Sequence, residues 1–187
     1  IYFLVNQSNI RTTEKSDDDI LKLKEFAKNG YKTHSIEIMS YASPEGSVER
    51  NDKVSDKRMK STVKYTRHLL NKLNVEGASN SELYTETSVG EDWVGFESII
   101  QKSEIKDKRK ISNLLNTIED VEKREEQLRD MTEIYDAVKD DILPQLRKAT
   151  IIIRAYEPKK TDEEINKLSL ENPTELDLEE ILYSTSL

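Results

Sequence analysis

Hydrophobic residues recur along this chain with two different periods. Ile1-Tyr2-Phe3-Leu4-Val5 is a continuous β-prone apolar run closed by Asn6-Gln7-Ser8-Asn9, which predicts a first strand covered on both faces. Ser16-x-x-Asp19 resembles a capping box, and Ile20, Leu23, Phe26 and Ala27 then recur at helical spacing until Asn29-Gly30 ends the helix. From Thr33 to Met39 the pattern alternates, with Ser35, Glu37 and Met39 on one face and His34, Ile36 and Ile38 on the other, so a strand with one buried side is expected. Pro44 presets φ and Gly46 admits φ > 0, which demands a sharp reversal after that strand and exposes backbone N–H groups at a helix N-terminus, a natural anion site. From Asn51 to Leu73, Val54, Met59, Val63, Leu69, Leu70 and Leu73 form an approximate helical stripe among many lysines and arginines, most of which read as a solvated face. Asn74 to Ser81 is a loop and Leu83 to Val89 a short strand.

From Val94 to about Leu143 the chain reads as helical, with Ile99, Ile100, Ile111, Leu114, Leu115 and Ile118 in one apolar set and Leu128, Met131, Ile134, Tyr135 and Val138 in another. An antiparallel helical hairpin is expected here, in competition with one long helix that needs a partner chain. Trp93 stands beside Glu91 and Asp92; a lone Trp is more often a core anchor than a sugar platform. Pro144 stops the last helix, and Arg147 to Tyr156 is the clearest strand in the chain. Beyond Pro158 the composition turns polar and acidic, and Thr161-x-x-Glu164 and Leu176 to Leu182 suit short helices, with a disordered tail as the alternative. The expected organisation is an α+β domain over residues 1–158, a mixed sheet of about four strands with two helices against it and a helical insertion at about 94–143, then a C-terminal extension over 159–187.

Composition narrows the function. Charged and apolar residues each make up 35% and the formal net charge is −8, which argues against general affinity for nucleic acid or an anionic membrane. The absence of cysteine excludes disulfides, thiol nucleophiles and zinc–thiolate sites. No apolar run approaches the ~20 residues of a transmembrane helix. Ile1 to Val5 is too short for a signal peptide, so the numbering is expected to begin inside a longer precursor. His34 and His68 lack metal-site spacing, and nothing resembles a nucleophile elbow, a Walker loop or a zinc-protease helix. The expectation is a non-enzymatic protein without metal or cofactor.

The most specific stretch is Ala42-Ser43-x-x-Gly46-Ser47-x-x-x-Asn51-x-x-Val54-Ser55-x-x-Arg58-Met59. It resembles the signature T-D-x-x-G-[ST]-x-x-x-N-x-x-L-S-x-x-R-A of the OmpA-like peptidoglycan-binding domain family, the C-terminal domains of OmpA, Pal and MotB, with every spacing intact. Leu146-Arg147-Lys148-Ala149 similarly resembles the family's N-R-R-V segment before its last strand. Two departures stand out: Ser43 replaces the family's ligand-binding Asp, and Leu146 replaces its Asn.

The resemblance implies an OmpA-C-like βαβαβ–(helical insertion)–β topology and a periplasmic, outer-membrane-associated location. It also implies that the domain tethers an envelope assembly to peptidoglycan by binding the diaminopimelate of the stem peptide. In the family the Asp accepts the ammonium and the Arg grips a carboxylate, a role that falls on Arg58 here. Ser43 offers only a neutral hydrogen bond. Glu45 supplies the missing carboxylate if the turn points it inward, with Gly46 shaping that turn. Asn51 either contacts the ligand or caps the helix, capping being commoner for Asn. Arg147 either holds an anionic ligand or forms a structural ion pair. The alternative function is a degenerate domain that docks outer-membrane or periplasmic proteins through its insertion.

Overall fold

A computed structural model describes residues 1–156 and 159–186 and is mixed α and β. The chain divides into two compact units, Ile1–Ala155 and Tyr156–Leu187. The domain boundary expected at Pro158 lies outside the described residues. Among the described residues, no helix is long and apolar enough to cross a membrane.

The first unit is organised on a three-stranded sheet in the order β2-β1-β3. β1 (Lys32–Ala42) is central and buries Ile36, Ile38, Ser40 and Ala42 on one face, as the alternation predicts. β2 (Tyr84–Glu91) runs parallel to it, from Ile36↔Tyr84 to Ala42↔Glu91, with a register shift between Ser40 and Tyr41. A parallel pair needs a crossover, and α2 (Val48–Lys72) provides it. β3 (Ala149–Tyr156) takes the other side of β1: Tyr41 N–H donates to Lys148 O, while Glu37 pairs with Arg154 further along, so the two strands run antiparallel.

The expected first strand is not one. Only Tyr2 bridges to Lys148, and Tyr2, Leu4 and Val5 are exposed, leaving Phe3 alone buried. The chain turns away because the carbonyls of Leu4 and Gln7 are drawn to Arg58 and Asn6 takes φ 55°. The sheet therefore has three strands where four were expected. The first helix, α1 (Asp18–Lys28), is capped by Asp17, whose side chain accepts from Asp19 N–H; Ser16 instead donates to the Thr12 and Thr13 carbonyls.

α2 begins at Val48, a turn earlier than the apolar pattern indicates. Its buried residues are Asn51, Ser55, Arg58, Thr62, Val63 and Thr66 before it reaches Leu69 and Leu70, so the inward face is polar over its first half and mixed after that. The deep end joins a core of Ile36, Ile38, Val63, Leu70 and Ala78.

The segment after β2 is neither a hairpin nor one long helix. It is a succession of short helices: α3 (Trp93–Lys102), α4 (Lys108–Thr117), α5 (Val121–Asp130) and α6 (Thr132–Ala137), a π-helical turn over Val138–Ile142, and α7 (Leu143–Leu146). The breaks have local causes: Asp107 stands in the left-handed region at φ 60°, and Asp120 caps α5 by accepting from Lys123 N–H. These helices enclose a core of their own, including Phe96, Ile100, Ile111, Leu128 and Leu143. Trp93 packs edge-on to Phe96 at 5.6 Å at its margin.

The second unit pairs α8 (Asp162–Glu171) and α9 (Leu178–Ser184), each begun by a capping box, Thr161 with Glu164 and Asp177 with Glu180. Ile165 and Leu176 are buried. Helices, not a tail, are what this acidic stretch forms.

Ile38 is fully buried between α2 and the sheet. Ile38→Ala is expected to lower unfolding free energy by about 2–5 kcal/mol, read as a shift in urea midpoint at unchanged slope.

Candidate functional site

The turn between β1 and α2 brings together Ser43, Glu45, Gly46, Asn51 and Arg147 of the residues singled out in the sequence, and leaves Arg58 bonded elsewhere. Gly46 takes φ +95°, as the reversal requires. Glu45 turns inward. Its Oε1 accepts from Ser43 Oγ at 2.8 Å and from Arg147 through Nε at 2.9 Å and Nη2 at 2.8 Å. The side chains of Glu45 and Arg147 keep 22% and 10% of their exposure, so the pair sits at the edge of solvent. Arg147 reaches this position because it leaves α7 immediately before β3, where its carbonyl accepts from Phe3 N–H.

Asn51 does not cap α2, because it already lies in the first turn of the helix. Its Nδ2 donates to Glu45 O at 3.1 Å and to Glu91 Oε1 at 2.7 Å, joining the turn to the end of β2. Ser47 occupies the N-cap without a side-chain hydrogen bond. One turn further along α2, Ser55 ties the helix to both parallel strands: its Oγ donates to Ser40 O at 3.0 Å, lies 2.7 Å from Ser88 Oγ and accepts from Gly90 N–H.

Arg58 is 1% exposed. Its guanidinium donates through Nε to Gln7 O at 3.0 Å, through Nη1 to Tyr41 O at 2.8 Å and through Nη2 to Leu4 O at 3.1 Å, with the Phe3 ring 5.2 Å away. Burial, and then the neighbouring Arg147 charge, lower its pKa to about 10, opposed by Glu45. It stays charged at neutral pH, but its donors are committed to backbone. Arg58 therefore does not present its fork to a ligand as the resemblance implies.

Glu91, Glu125 and Lys148 extend the site beyond the residues singled out in the sequence. Glu91 accepts from Asn51 and, through Oε2, from Trp93 Nε1 at 2.9 Å. Its neighbour Asp92 points elsewhere, capping α3 through Gly95 N–H and pairing with Lys148 at 3.0 Å. Glu125 of α5 is 4% exposed, its Oε1 has no hydrogen-bond partner among the described residues, and burial, then Glu91, push its carboxyl from 4.5 up to about 8. The signal was faint: within a run of mixed charge, Glu125 falls three residues before Leu128, in phase with the buried face of α5.

Next to the turn lies an open cavity of about 510 Å³, with Gly46 and Ser47 on one side and Glu122, Glu125, Glu126, Arg129 and Asp130 of α5 on the other, four carboxylates against one cation. A larger cleft of about 860 Å³ lies within the insertion, floored by Ile99, Ile105, Ile134 and Ile142. Among the described residues, no group of three or more His, Asp or Glu side chains is placed to hold a metal ion. The chain matches no protein-family model and no curated protein.

If Arg58 serves the fold, truncating it strands three carbonyls. Arg58→Ala is expected to cost about 3–5 kcal/mol of stability in urea unfolding, and Arg58→Lys to recover less than half, since one ammonium cannot replace a planar fork. A residue used only for a ligand would leave stability unchanged.

Proposed function

We propose that this is a non-enzymatic OmpA-like module of the periplasm that tethers an outer-membrane-associated assembly to peptidoglycan, with its ligand roles shifted by one residue pair. The observation that carries the reading is the Glu45–Arg147 pair beside the α2 N-terminus. A carbon bearing both an ammonium and a carboxylate, as at the end of a diaminopimelate side chain, is complementary to such a pair: Glu45 takes the ammonium that Ser43 cannot, and Arg147 takes the carboxylate that Arg58 no longer reaches. The acidic cavity beside Gly46 and Ser47 offers an approach for a cationic group. The parallel β1–α2–β2 unit, with β3 on the far side of β1 and Tyr2 bridged to Lys148 just before β3, is compatible with an OmpA-C-like arrangement that carries a helical insertion.

A second reading has its own support. Arg58 is spent on backbone and Glu45 already occupies Arg147, which suits a domain whose former site holds the fold while the insertion, with its isoleucine-floored, charge-rimmed cleft, docks envelope proteins.

Co-sedimentation with diaminopimelate-containing sacculi separates the two. Under the tethering reading the native chain pellets, and Glu45→Gln weakens binding about tenfold or more, the loss of a charge-assisted hydrogen bond. A folded native chain that stays in the supernatant defeats tethering and leaves docking.

A further inference from the structure

In the second unit an amphipathic helix turns its apolar side outward. Leu178, Ile181 and Leu182 of α9 fall within about 100° of one another around the helix axis and form a single stripe. That stripe faces water: Leu178 keeps 73% of its exposure, Leu182 63% and Ile181 40%. The side of α9 turned to α8 and the segment leading into it is the polar one. Glu180 accepts from Lys160 Nζ at 2.8 Å, and the Tyr183 hydroxyl donates to Asp162 Oδ1 at 3.2 Å. Both residues stand on the side of the helix opposite Leu178.

A helix of this length gains most of its stability from burying its apolar face against something else. Among the described residues of the unit, the buried apolar side chains are Ile165 and Leu176, and neither belongs to the stripe. The unit runs from Tyr156 to Leu187, below the ~40 residues at which a chain usually needs a disulfide, a metal or a partner to hold its fold. With no cysteine, it has no disulfide to supply that support.

Charge selects the occupant. Residues 156–187 carry nine Asp and Glu against three Lys, six of the eight excess negative charges of the whole chain. Glu179 borders the stripe, and Glu175 and Asp177 stand just before it. A second copy would set like charge against like, and so would an anionic membrane. We propose that the outward face of α9 is a docking surface for a basic amphipathic helix of a partner protein. The partner's apolar side covers Leu178, Ile181 and Leu182, and its lysines or arginines meet Glu179 and the acidic rim. No residue of the motif turn takes part, so peptidoglycan binding succeeds or fails without touching this surface.

The probe is a fluorescein-labelled synthetic helix of about 18 residues, with leucine at i, i+3, i+4 and i+7 spacing and lysine elsewhere. Fluorescence anisotropy with the full chain is expected to show saturable micromolar binding. A scrambled peptide of the same composition, and an analogue with glutamate for lysine, should each bind about tenfold more weakly or worse. Leu178→Ser combined with Leu182→Ser should weaken binding about tenfold or more, whereas Val94→Ser, at an exposed apolar position of the first unit, should leave it unchanged. In the native chain the peptide should slow amide exchange over 178–184 and leave α2 over 59–70 unchanged. Equal binding of the scrambled peptide, binding retained by the double variant, or exchange over 178–184 untouched by the peptide overturns the docking surface; the exchange measurement decides even if the variant unfolds the unit. Sedimentation equilibrium of the native chain alone is expected to give a monomer. A dimer that the double variant breaks places a second copy on the stripe, and pelleting with phosphatidylcholine vesicles places a bilayer there; either overturns the basic partner.

Discussion

A guanidinium buried without an acid must be surrounded by acceptors, and Arg58 is surrounded by three backbone carbonyls from two separate stretches of chain. Desolvating that charge is costly, so the carbonyls of Leu4, Gln7 and Tyr41 are held where they can offset it. The consequences spread outward. The N-terminal segment is bent off the sheet after Tyr2, the end of β1 is fixed against α2, and Arg147, itself buried, is matched to Glu45 at the turn.

The same logic runs along α2. A helix crossing between parallel strands would ordinarily present an apolar stripe to the sheet, yet this one presents Asn51, Ser55, Arg58, Thr62 and Thr66. Ser55 makes the cost bearable at the register shift between Ser40 and Tyr41, where it satisfies groups on both neighbouring strands. Asn51 does so at the mouth of the turn. What distinguishes the two ends of this helix is therefore how they resist water: by packing at Leu69 and Leu70, and by hydrogen bonding at Asn51 to Arg58. The proposed tether sits at the hydrogen-bonded end, where exchange of partners is possible without opening the apolar core.

Local pattern was legible wherever one force dominated. The alternation of β1, the reversal at Pro44-Gly46, the strand from Ala149 and the capping box at Thr161 follow from pleat, φ restriction and capping within a few residues. Reading failed where two demands competed. Ile1 to Val5 has strand propensity throughout, but Arg58, more than fifty residues away, claims its carbonyls. Of the hydropathy stripe Val54, Met59, Val63, Leu69, Leu70 and Leu73, the deep end at Val63, Leu69 and Leu70 is buried, but the first half of α2 buries Asn51, Ser55 and Arg58 instead, which their hydrogen-bond partners on other elements make tolerable. In the insertion the two apolar sets were correct as core material, but the helix breaks at Asp107 and Asp120 divide them.

The sequence by itself determined the turn, the strand on either side of β1 and the residues able to carry charge at the turn, because those depend on local backbone preference and on residue type. Only the tertiary structure decided what each charge does. Whether Arg58 meets a ligand or a carbonyl and whether Glu45 faces solvent or Arg147 depend on which distant groups are brought within about 3 Å, and whether Glu125 stands in water depends on what packs over it. Hydrogen bonds form only within that range, and the loss of water around a charge depends on every group packed near it.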